Sequence, residues 1–325
     1  MKNIVFICPY FGKFPNMQMN LWLESCKKNP NIDWLIFTDD ITEYQYPKNV
    51  IVKYMNLKDF KNIIQKKISF KIALDFPYKL CDYKPVYGYA LSEYISEYMY
   101  WGYCDITDCM FGELEKFLLS FMQKGYGKIG FLGHMTLYKN TSENNELFKD
   151  VNMFGKNLTE ILGYNKHIAF DENNNFGINK IFERKEISFK RIDEIYVDIS
   201  TRFYSFRVSK WDKKFEHNGF DKKRFVIEWD NGRLFKYYLN DNKIKKEEIG
   251  YVHYQKRKMN IKFNMDEFET TKKYIIVPNK FIIERKNLTV SDIKKYTKEK
   301  LINWTYIYIK LNRIKFKIKQ KLKDI

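Results

Sequence analysis

The stretch Tyr98-Met-Tyr-Trp-Gly-Tyr-Cys-Asp105-Ile-Thr-Asp108-Cys-Met-Phe-Gly112 places two acidic residues directly after an aromatic and apolar run. Such a run is typical of a buried strand, and Gly112 precedes apolar residues at helical spacing. Open α/β sheets bind ligands at the carboxyl ends of central strands, where Asp105 and Asp108 would lie. Carboxylate oxygens suit Mg²⁺ or Mn²⁺. The stretch therefore predicts a metal and phosphate site, although aspartates after a strand also commonly form turns or helix caps.

Strands and helices alternate on the amino-terminal side of this stretch. Residues 3–7 and 33–38 have the composition of buried strands, and residues 17–28 between them are typical of a helix. A third strand is expected at 50–54, followed by a helix that Asn56 would cap. Because strand, helix and strand in this order form a parallel βαβ unit, the pattern predicts an α/β fold.

The carboxyl-terminal side is less regular. A helix is expected from Lys84 to about Glu97, leading into the Asp105 strand, and a further strand is expected at 128–132. Short helices are predicted near 145–151 and 157–162. Residues 224–238 have the pattern of a hairpin that turns at Asp230-Asn-Gly232. No internal repeat marks a domain boundary.

Composition restricts the class of protein. The chain has 325 residues, of which 45% are hydrophobic, so it can bury a large core. Its five cysteines include no C-x-x-C pair, which favours reduced thiols over a disulfide or zinc framework. No apolar segment approaches membrane-spanning length, and residues 1–9 enter a strand without a signal-peptide pattern. We therefore expect a cytoplasmic protein. Its formal charge of +18 implies an anionic partner without specifying which one.

The segment 301–325 predicts a basic amphipathic helix. Its apolar residues recur at steps of three or four and form one face, while the lysines and arginine between them form the other. Such a helix suits an anionic membrane surface, and peripheral attachment to the inner face of the plasma membrane is expected. The alternative is a helix packed on the protein body with a solvated lysine face. The apolar face comprises Leu301, Trp304, Ile307, Leu311, Ile314, Ile318, Leu322 and Ile325.

Several ordered blocks together resemble a known family, the bacterial GT-A-type glycosyltransferases of polysaccharide clusters, long catalogued as a domain of unknown function (DUF6625-like). The resemblance covers the first 140 residues well and the rest sparsely. The matching blocks are Pro9-Tyr-Phe-Gly-Lys13, Leu21-Trp-Leu-Glu-Ser-Cys26, Phe37-Thr-Asp-Asp40, Lys79-Leu-Cys-Asp-Tyr-Lys-Pro85 with Gly88, Trp101 to Asp105, Phe111-Gly112 and Tyr251-Val-His-Tyr-Gln-Lys-Arg257.

The resemblance implies a GT-A-like, Rossmann-type mixed sheet flanked by helices. It implies a nucleotide-sugar-binding half at 1–140, an acceptor-binding region with the rest of the sheet at 141–295, and the basic helix at 296–325. The activity it implies is metal-dependent transfer of a sugar from a UDP-sugar, of hexose or galactose type. The implied acceptor is a glycan or lipid-linked oligosaccharide in capsular polysaccharide or lipopolysaccharide synthesis. Nucleic acid is not expected as a partner.

The resemblance also implies a Mn²⁺ or Mg²⁺ site that bridges the donor phosphates. The family motif is Asp-x-Asp, whereas this chain has Asp105-Ile-Thr-Asp108, one residue longer through Thr107. Either both aspartates bind the metal, or one of them orients water or ribose instead. We favour Asp108 as the direct ligand and Asp105 as ligand or ribose contact. By similarity, His253 is the third ligand; the alternative is a histidine in an exposed basic strand.

Further site residues follow from the same resemblance. Pro9, Tyr10, Phe11 and Asp39 occupy positions where GT-A folds hold uridine, although the aromatic residues could equally be core. Lys84 is a candidate phosphate or sugar contact, with Lys79 a weaker one. The leaving diphosphate would be neutralised by Lys256 and Arg257.

A transferase that inverts the anomeric centre needs a carboxylate that deprotonates the acceptor hydroxyl, whereas a retaining one need not have an obvious base. Asp171 is our candidate base or acceptor contact and Glu172 the second choice, since both follow an apolar stretch and precede Asn173-Asn-Asn-Phe-Gly177. The alternative is a capped loop. His134 is a candidate for the acceptor site or, equally, a core histidine.

Two other classes of function fit part of the pattern. Basic residues interleaved with tyrosines suit nucleic acid, but no recognised nucleic-acid-binding motif accompanies them. The same aspartates would also suit a metal-dependent phosphohydrolase.

Overall fold

The computed structural model describes residues 2–172 and 175–323. Asn173, Asn174, Asp324 and Ile325, which appear in the predictions above, lie outside the described residues. By internal contacts the chain forms two compact units. Unit 1 comprises residues 1–107, 113–193 and 213–216, and unit 2 comprises residues 108–112, 194–212 and 217–325. The ranges 1–140, 141–295 and 296–325 remain a prediction about function.

The elements of the first part of the chain, in order, are β1 (Lys2–Tyr10), α1 (Asn16–Lys27), β2 (Ile32–Thr38), β3 (Val50–Tyr54), α2 (Leu57–Gln65), α3 (Leu80–Tyr83), α4 (Tyr87–Ala90), α5 (Ser92–Ile95), β4 (Tyr98–Cys104), β5 (Cys109–Phe111), α6 (Leu114–Gln123), β6 (Lys128–Leu132), β7 (Met135–Lys139), α7 (Ser142–Glu146), α8 (Leu158–Leu162), α9 (Ile178–Arg184) and β8 (Phe189–Lys190). Short 3₁₀ helices cover Pro77–Lys79, Lys84–Val86 and Leu147–Phe154.

The remaining elements are β9 (Tyr196–Asp198), β10 (Ser209–Trp211), β11 (His217–Phe220), β12 (Phe225–Asp230), β13 (Arg233–Asn240), β14 (Lys243–Ile249), β15 (Tyr251–His253), β16 (Asn260–Ile261), α10 (Met265–Thr271), β17 (Lys273–Val277), β18 (Lys280–Ile282), α11 (Val290–Tyr296) and α12 (Trp304–Lys323).

Unit 1 is built on a seven-stranded sheet of order β3-β2-β1-β4-β7-β6-β8. The pairs β1–β2, β1–β4 and β2–β3 are parallel, whereas β4–β7 and β6–β7 are antiparallel. The expected α/β class with a parallel-rich mixed sheet is therefore confirmed. The predicted strands at 33–38, 50–54 and 128–132 are also confirmed.

The order of the strands creates a switch point beside β1. The chain adds β2 and β3 on one side of β1 and then crosses to place β4 on the other. At a switch point the connections leave their strands in opposite directions, and this opens a crevice at the carboxyl ends. Those ends lie together, since the buried Sγ atoms of Cys8 and Cys104 are 3.4 Å apart. The loops after β1 and β4 therefore begin at one crevice.

The apolar pattern of the sequence explains the core of unit 1. Every residue of β2 is buried, as expected for a strand covered on both faces. Asn56 caps α2 by accepting the N–H of Asp59, so the predicted cap is confirmed. Phe60 and Ile64 of this helix are buried in the same cluster as Val5 and Leu35.

The helix predicted from Lys84 to about Glu97 is wrong as one element. The segment consists of a 3₁₀ turn followed by α4 and α5, and Leu91 between them leaves helical geometry with φ −111° and ψ 23°. Close packing accompanies the break. A Cβ on Gly88 would lie 2.3 Å from the ring of Trp101, so the backbone passes directly over that ring.

Unit 2 contains a six-stranded sheet of order β14-β13-β12-β17-β18-β16 and a three-stranded sheet of order β5-β15-β9. The predicted hairpin is confirmed as β12 and β13, in which Asp230 pairs with Arg233. Asn231 and Gly232 form the turn with φ of 45° and 97°, as two-residue hairpin turns require. In the three-stranded sheet, His253 pairs with Cys109 on one side and with Asp198 on the other.

Unit 2 ends in α12, which begins within the predicted basic segment. Within residues 2–172 and 175–323, no helix has both the length and the apolar character needed to cross a membrane.

Candidate active site

Lys84 is the centre of a charged cluster at the carboxyl end of β4 in unit 1. Its Nζ donates to Gly133 O at 2.7 Å and to Asp105 Oδ1 at 3.0 Å, and it lies 3.7 Å from Asp171 Oδ2. The Lys84 side chain is largely buried, whereas that of Asp105 is 35% exposed. The cluster thus has one carboxylate inside the protein and one that solvent or a ligand can reach.

The surroundings of the cluster shift the pKa values of Lys84 and Asp171. Burial opposes the charge of Lys84, but negative charge, chiefly that of Asp105, outweighs it and holds the pKa of Lys84 well above its usual value. Burial raises the pKa of Asp171 well above that of an ordinary aspartate; Lys84 opposes this rise and Glu172 adds to it. A lysine kept charged beside a carboxyl of raised pKa suits anion binding and proton transfer.

The turn between β6 and β7 fits closely around the two acidic residues. Glu172 Oε1 accepts the N–H of Gly133 at 2.9 Å. A Cβ on Gly133 would lie 2.5 Å from Asp171 Oδ2 and 2.9 Å from Glu172 Oε1, so any larger residue would displace both carboxylates. Asp105 is tied to the same turn, because its N–H donates to His134 O at 3.0 Å. The predicted pair Asp171 and Glu172 therefore lies beside Asp105, with Glu172 engaged in holding the turn.

A second buried lysine positions the loop that leads to Asp171. Lys79 Nζ donates to Asp82 Oδ2 at 2.8 Å and to the carbonyls of Ile161 and Lys166. Asp82 in turn accepts the N–H groups of Ile168 and Phe170. These contacts hold the loop, and Lys79 has no exposure with which to meet a phosphate. The idea that Lys79 contacts phosphate is therefore corrected to a structural role.

Backbone strain accompanies this anchoring. Ala169, between the two residues whose N–H groups Asp82 accepts, has φ +56°, in the left-handed region that favours glycine. Strain of this kind persists only where the surrounding contacts enforce it, and it often occurs at functional sites. Ligand atoms of Asp82, His167 and Asp171 also lie within 4.8 Å of one another. Because Asp82 already accepts from Lys79 and two backbone groups, we assign it an anchoring role.

The loops after β1 and β2 meet at the same end of the sheet. Asp39 is exposed, and its Oδ1 accepts the N–H of Gly12 at 2.7 Å. Gly12 has φ +118°, which only glycine adopts readily, so this approach depends on that residue. The ring of Tyr10 stacks on Phe14, with ring centroids 4.5 Å apart. Pro9 and Tyr10 are the last residues of β1, which extends beyond the predicted strand at 3–7, whereas Phe11 follows β1 and packs on the unit 1 core and Asp39 follows β2.

Asp40 differs from its neighbour Asp39. Its side chain is fully buried and accepts from Lys13 Nζ at 2.8 Å and from the N–H of Phe14 at 2.8 Å. Burial would raise the pKa of Asp40, but these hydrogen bonds outweigh it and hold the pKa well below its usual range. Asp40 therefore stabilises the loop after β1, and Asp39 is left at the surface.

The remaining predicted residues belong to unit 2. Asp108 precedes β5, and its backbone oxygen accepts the N–H of Tyr254 at 2.8 Å. His253 is buried in β15 with its Nδ1 2.8 Å from Asp198 Oδ1. Metal-binding histidines commonly use one ring nitrogen in this way to contact a carboxylate, so the placement of His253 fits a ligand. Gln255 Nε2 also donates to both oxygens of Asp198.

Arg257 and Lys256 occupy different environments. Arg257 is buried, and its guanidinium donates to the carbonyls of Ser200, Phe203 and Tyr204 and to Asn279 Oδ1. Burial lowers the pKa of Arg257 to about 10. These contacts give Arg257 a role in stabilising the 200–204 loop, whereas Lys256 is exposed, and the contact of both residues with a diphosphate stays a prediction.

A model of the family of unknown function DUF6625 matches residues 6–285. The chain belongs to this family. No curated protein matches the DUF6625 chain in sequence. Among solved structures it is similar to "Crystal structure of the glycosyltransferase GlyE in Streptococcus pneumoniae TIGR4", with 13% identity and a TM-score of 0.35. The match covers 59% of this chain and 45% of that one. At that TM-score the likeness establishes neither fold nor activity for the DUF6625 chain.

Sequence reasoning missed the residues that position the predicted side chains within each unit of this DUF6625 protein. Asp82, Asp198 and Gly133 were not singled out as site residues. Their contacts join segments far apart in the chain, so no local sequence pattern predicts these contacts. The nearest available signals are the spacing of Lys79 and Asp82 on one helical turn and the position of Asp198 at the end of a strand.

Proposed function

We propose that this DUF6625 protein is a glycosyltransferase. It transfers a sugar, of hexose or galactose type, from a UDP-sugar to a glycan or lipid-linked glycan acceptor. The observation that carries the proposal is the cluster of Lys84, Asp105 and Asp171 at the carboxyl end of β4, beside the switch point of the unit 1 sheet. Crevices of this kind are where open α/β sheets bind nucleotides.

The donor is assigned to the crevice by the chemistry of its loops. The exposed carboxylate of Asp39 can accept a hydrogen bond from the uracil imide or a ribose hydroxyl, and it is already oriented by Gly12. Tyr10 pairs in the sheet with Thr38, the residue before Asp39, and offers an aromatic ring near that carboxylate. Lys84 supplies a fixed positive charge for the diphosphate, since its neighbours keep it protonated.

Asp171 is the proposed base. Its carboxylate takes the proton of the acceptor hydroxyl while the hydroxyl oxygen bonds to the anomeric carbon, and the bond from that carbon to the UDP oxygen breaks. A carboxylate of raised pKa is a stronger base than an ordinary aspartate, which fits this role. Lys84 stabilises the negative charge that develops on the leaving diphosphate.

The half-exposed carboxylate of Asp105 has the oxygen chemistry that Mn²⁺ or Mg²⁺ prefers, and we propose it as a ligand. A divalent cation bound there would neutralise charge on the donor phosphates. Asp108 and His253 remain sequence predictions as further ligands, and the hydrogen bond between His253 and Asp198 supports the latter.

A thermal-shift screen tests the donor assignment. UDP and UDP-sugars with Mn²⁺ should raise the melting temperature, because a ligand that binds only the folded state stabilises it. Lys84→Met should remove the shift, whereas Lys61→Met, which changes a surface lysine paired with Asp75, should keep it. If no uridine nucleotide stabilises the protein with any divalent cation, the proposed class is wrong. Transfer of sugar to a glycan, beyond hydrolysis of the donor, separates a transferase from a phosphohydrolase.

We further propose peripheral attachment of the enzyme to an anionic membrane through α12. Ile309 is buried, while Trp304, Ile307, Leu311, Ile314 and Ile318 are all exposed, with Trp304 at 71%. With 3.6 residues per turn these five residues form one stripe, and Ile309 lies on the opposite face. Lys310, Arg313 and Lys315 are exposed on the same helix and complement acidic headgroups. Leu322 and Ile325, expected to extend the stripe, lie outside the residues whose side chains are described.

Trp304 reports on this attachment because it is exposed, whereas Trp22, Trp34, Trp101 and Trp229 are fully buried and Trp211 is partly buried. Phosphatidylglycerol vesicles should shift the tryptophan emission to the blue, and phosphatidylcholine vesicles should not. The double variant Leu311→Ser/Ile314→Ser should lose the shift, and the exposed control Asn312→Ser should keep it. Self-association that depends on the same two residues, without vesicle binding, would assign the stripe to a second copy of the chain instead.

A further inference from the structure

Unit 2 contains a cavity of about 680 Å³ whose rim is basic. Its volume lies within the range of small-molecule sites. Lys262 follows β16, Lys280 begins β18, and Lys295, Lys298 and Lys300 lie at and after the end of α11. All five lysines line the cavity, and none of the residues named in the catalytic proposal does.

Within the described residues 2–172 and 175–323, the positive charge of this rim is offset only in part, by the electrostatic interaction of Asp292 with Lys295. None of the five lysines forms an ion pair there, and all are exposed. Glu299 is the acidic residue of the lining, but its carboxylate accepts the N–H groups of Tyr204 and Ser205 and lies 3.6 Å from Arg207. Five like charges around one cavity raise the local potential, and a bound anion would relieve their mutual repulsion.

The lining also offers aromatic and apolar surface that the uncharged part of a ligand could contact. Lys300 lies over the ring of Tyr204 at 4.4 Å from its centroid, and Lys295 lies over Tyr296 at 5.3 Å. Both tyrosines line the cavity, together with Val277, Pro278 and Ile282. Aromatic rings with a polar edge can pack against a sugar ring while lysines contact its charged groups.

We propose that this cavity binds a small, multiply charged anion that carries phosphate groups on a sugar-like body. The volume favours such a ligand over an extended polymer. Its phosphates would come from a soluble phosphorylated sugar or from a lipid headgroup, which share the same chemistry. The site lies in unit 2 and does not depend on the donor site proposed in unit 1.

Isothermal titration of the full-length protein with a hexose bisphosphate, in the presence of a metal chelator, tests the assignment. We expect saturable binding that weakens as salt rises. The double variant Lys280→Gln/Lys298→Gln should weaken binding about tenfold, because it removes two of the five positive charges around the cavity, and solvent screens the contribution of exposed charges. Lys294→Gln changes an exposed lysine of α11 outside the lining and should bind as the unchanged protein does.

Three results would overturn the proposal: no binding either of the bisphosphate or, by the Leu311→Ser/Ile314→Ser variant, of anionic vesicles; equal affinity in the double variant and in Lys294→Gln; or loss of binding in Lys84→Met alone. The last result would move the anion to unit 1. A neutral hexose at the same concentration should not bind. Vesicles of phosphatidylglycerol distinguish the two sources: binding that needs Lys280 and Lys298 even when Leu311 and Ile314 are serine assigns a lipid headgroup.

Discussion

Lys79 and Lys84 lie close together in sequence and both bury an ammonium group, yet they serve different purposes. Lys79 has no exposure, and three acceptors, one of them a carboxylate, satisfy its three donors. Lys84 lies between two carboxylates, one of them 35% exposed. The first arrangement is closed and stabilises a loop. The second keeps an accessible charge, and this is what a binding site needs.

The largest expected effect is on the chemistry beside Lys84. Asp171→Asn should lower the rate of sugar transfer by about 10²–10⁴-fold, because the amide cannot accept the acceptor's proton. The unchanged enzyme should gain activity as pH rises through the raised pKa of Asp171, so its acid limb should lie above the value of about 4 typical of aspartate. Transfer rates measured from pH 4 to 9 test both points. A rate in Asp171→Asn equal to that of the unchanged enzyme would exclude Asp171 as the base.

Of the two lysines, Lys79 should contribute more to the stability of the fold. Lys79→Met leaves Asp82 buried without its cation, and removing one partner of a buried pair typically costs about 3–5 kcal/mol. Lys84→Met should cost less, because Asp105 can be solvated and Asp171, with its raised pKa, can take up a proton. Urea unfolding of the two variants measures the difference. Equal losses would remove the distinction drawn between the two lysines.

A substitution of Gly133, in the turn that lies against the carboxylates of Asp171 and Glu172, should have an effect of intermediate size. Gly133→Ala would place a Cβ 2.5 Å from Asp171 Oδ2, and relief of such overpacking typically costs about 1–3 kcal/mol. Because the displaced atoms belong to the proposed base, the rate of transfer should fall more than the affinity for UDP. A variant with unchanged rate and unchanged unfolding free energy would show that the turn does not constrain Asp171.

The smallest effect concerns the residue that lengthens the acidic motif. Thr107 has φ +62°, a left-handed conformation that costs a residue with a Cβ about 1–2 kcal/mol. Thr107→Gly should therefore be more stable than Thr107→Ala by about 1 kcal/mol, although both lose the same hydroxyl and methyl groups. Chemical unfolding of the pair tests this. The opposite order would mean that the turn relaxes when the side chain is removed.

Local patterns predicted the parts of the fold that depend on local physics. The strand at 128–132, the cap at Asn56 and the Asn231-Gly232 turn each follow from residue spacing or backbone preference. The carboxyl end of β4 was also predicted, because an apolar run that ends at an aspartate is typical of a buried strand that ends at the surface. Lys84 beside Asp105 came from the family resemblance and not from spacing.

Contacts between residues far apart in the chain could not be predicted from the sequence. Asp82 binds N–H groups of the loop before Asp171, and Asp198 binds His253, each across a large separation in the chain. The contact of Arg257 with a phosphate stays a prediction, but the sequence did not indicate that its guanidinium also donates to the 200–204 loop and to Asn279. A motif supplies the residue type, whereas the tertiary fold decides whether its hydrogen bonds are already used.

Photoaffinity labelling with a 5-azido-UDP-sugar in the presence of Mn²⁺ tests the central claim most directly, since it reports where the uridine lies. We expect label in the peptides that contain Tyr10 to Gly12 or Asp39, competition by excess UDP, and loss of label in Lys84→Met. Label confined to peptides of unit 2, or label that UDP does not displace, would contradict a donor site at the carboxyl ends of β1, β2 and β4.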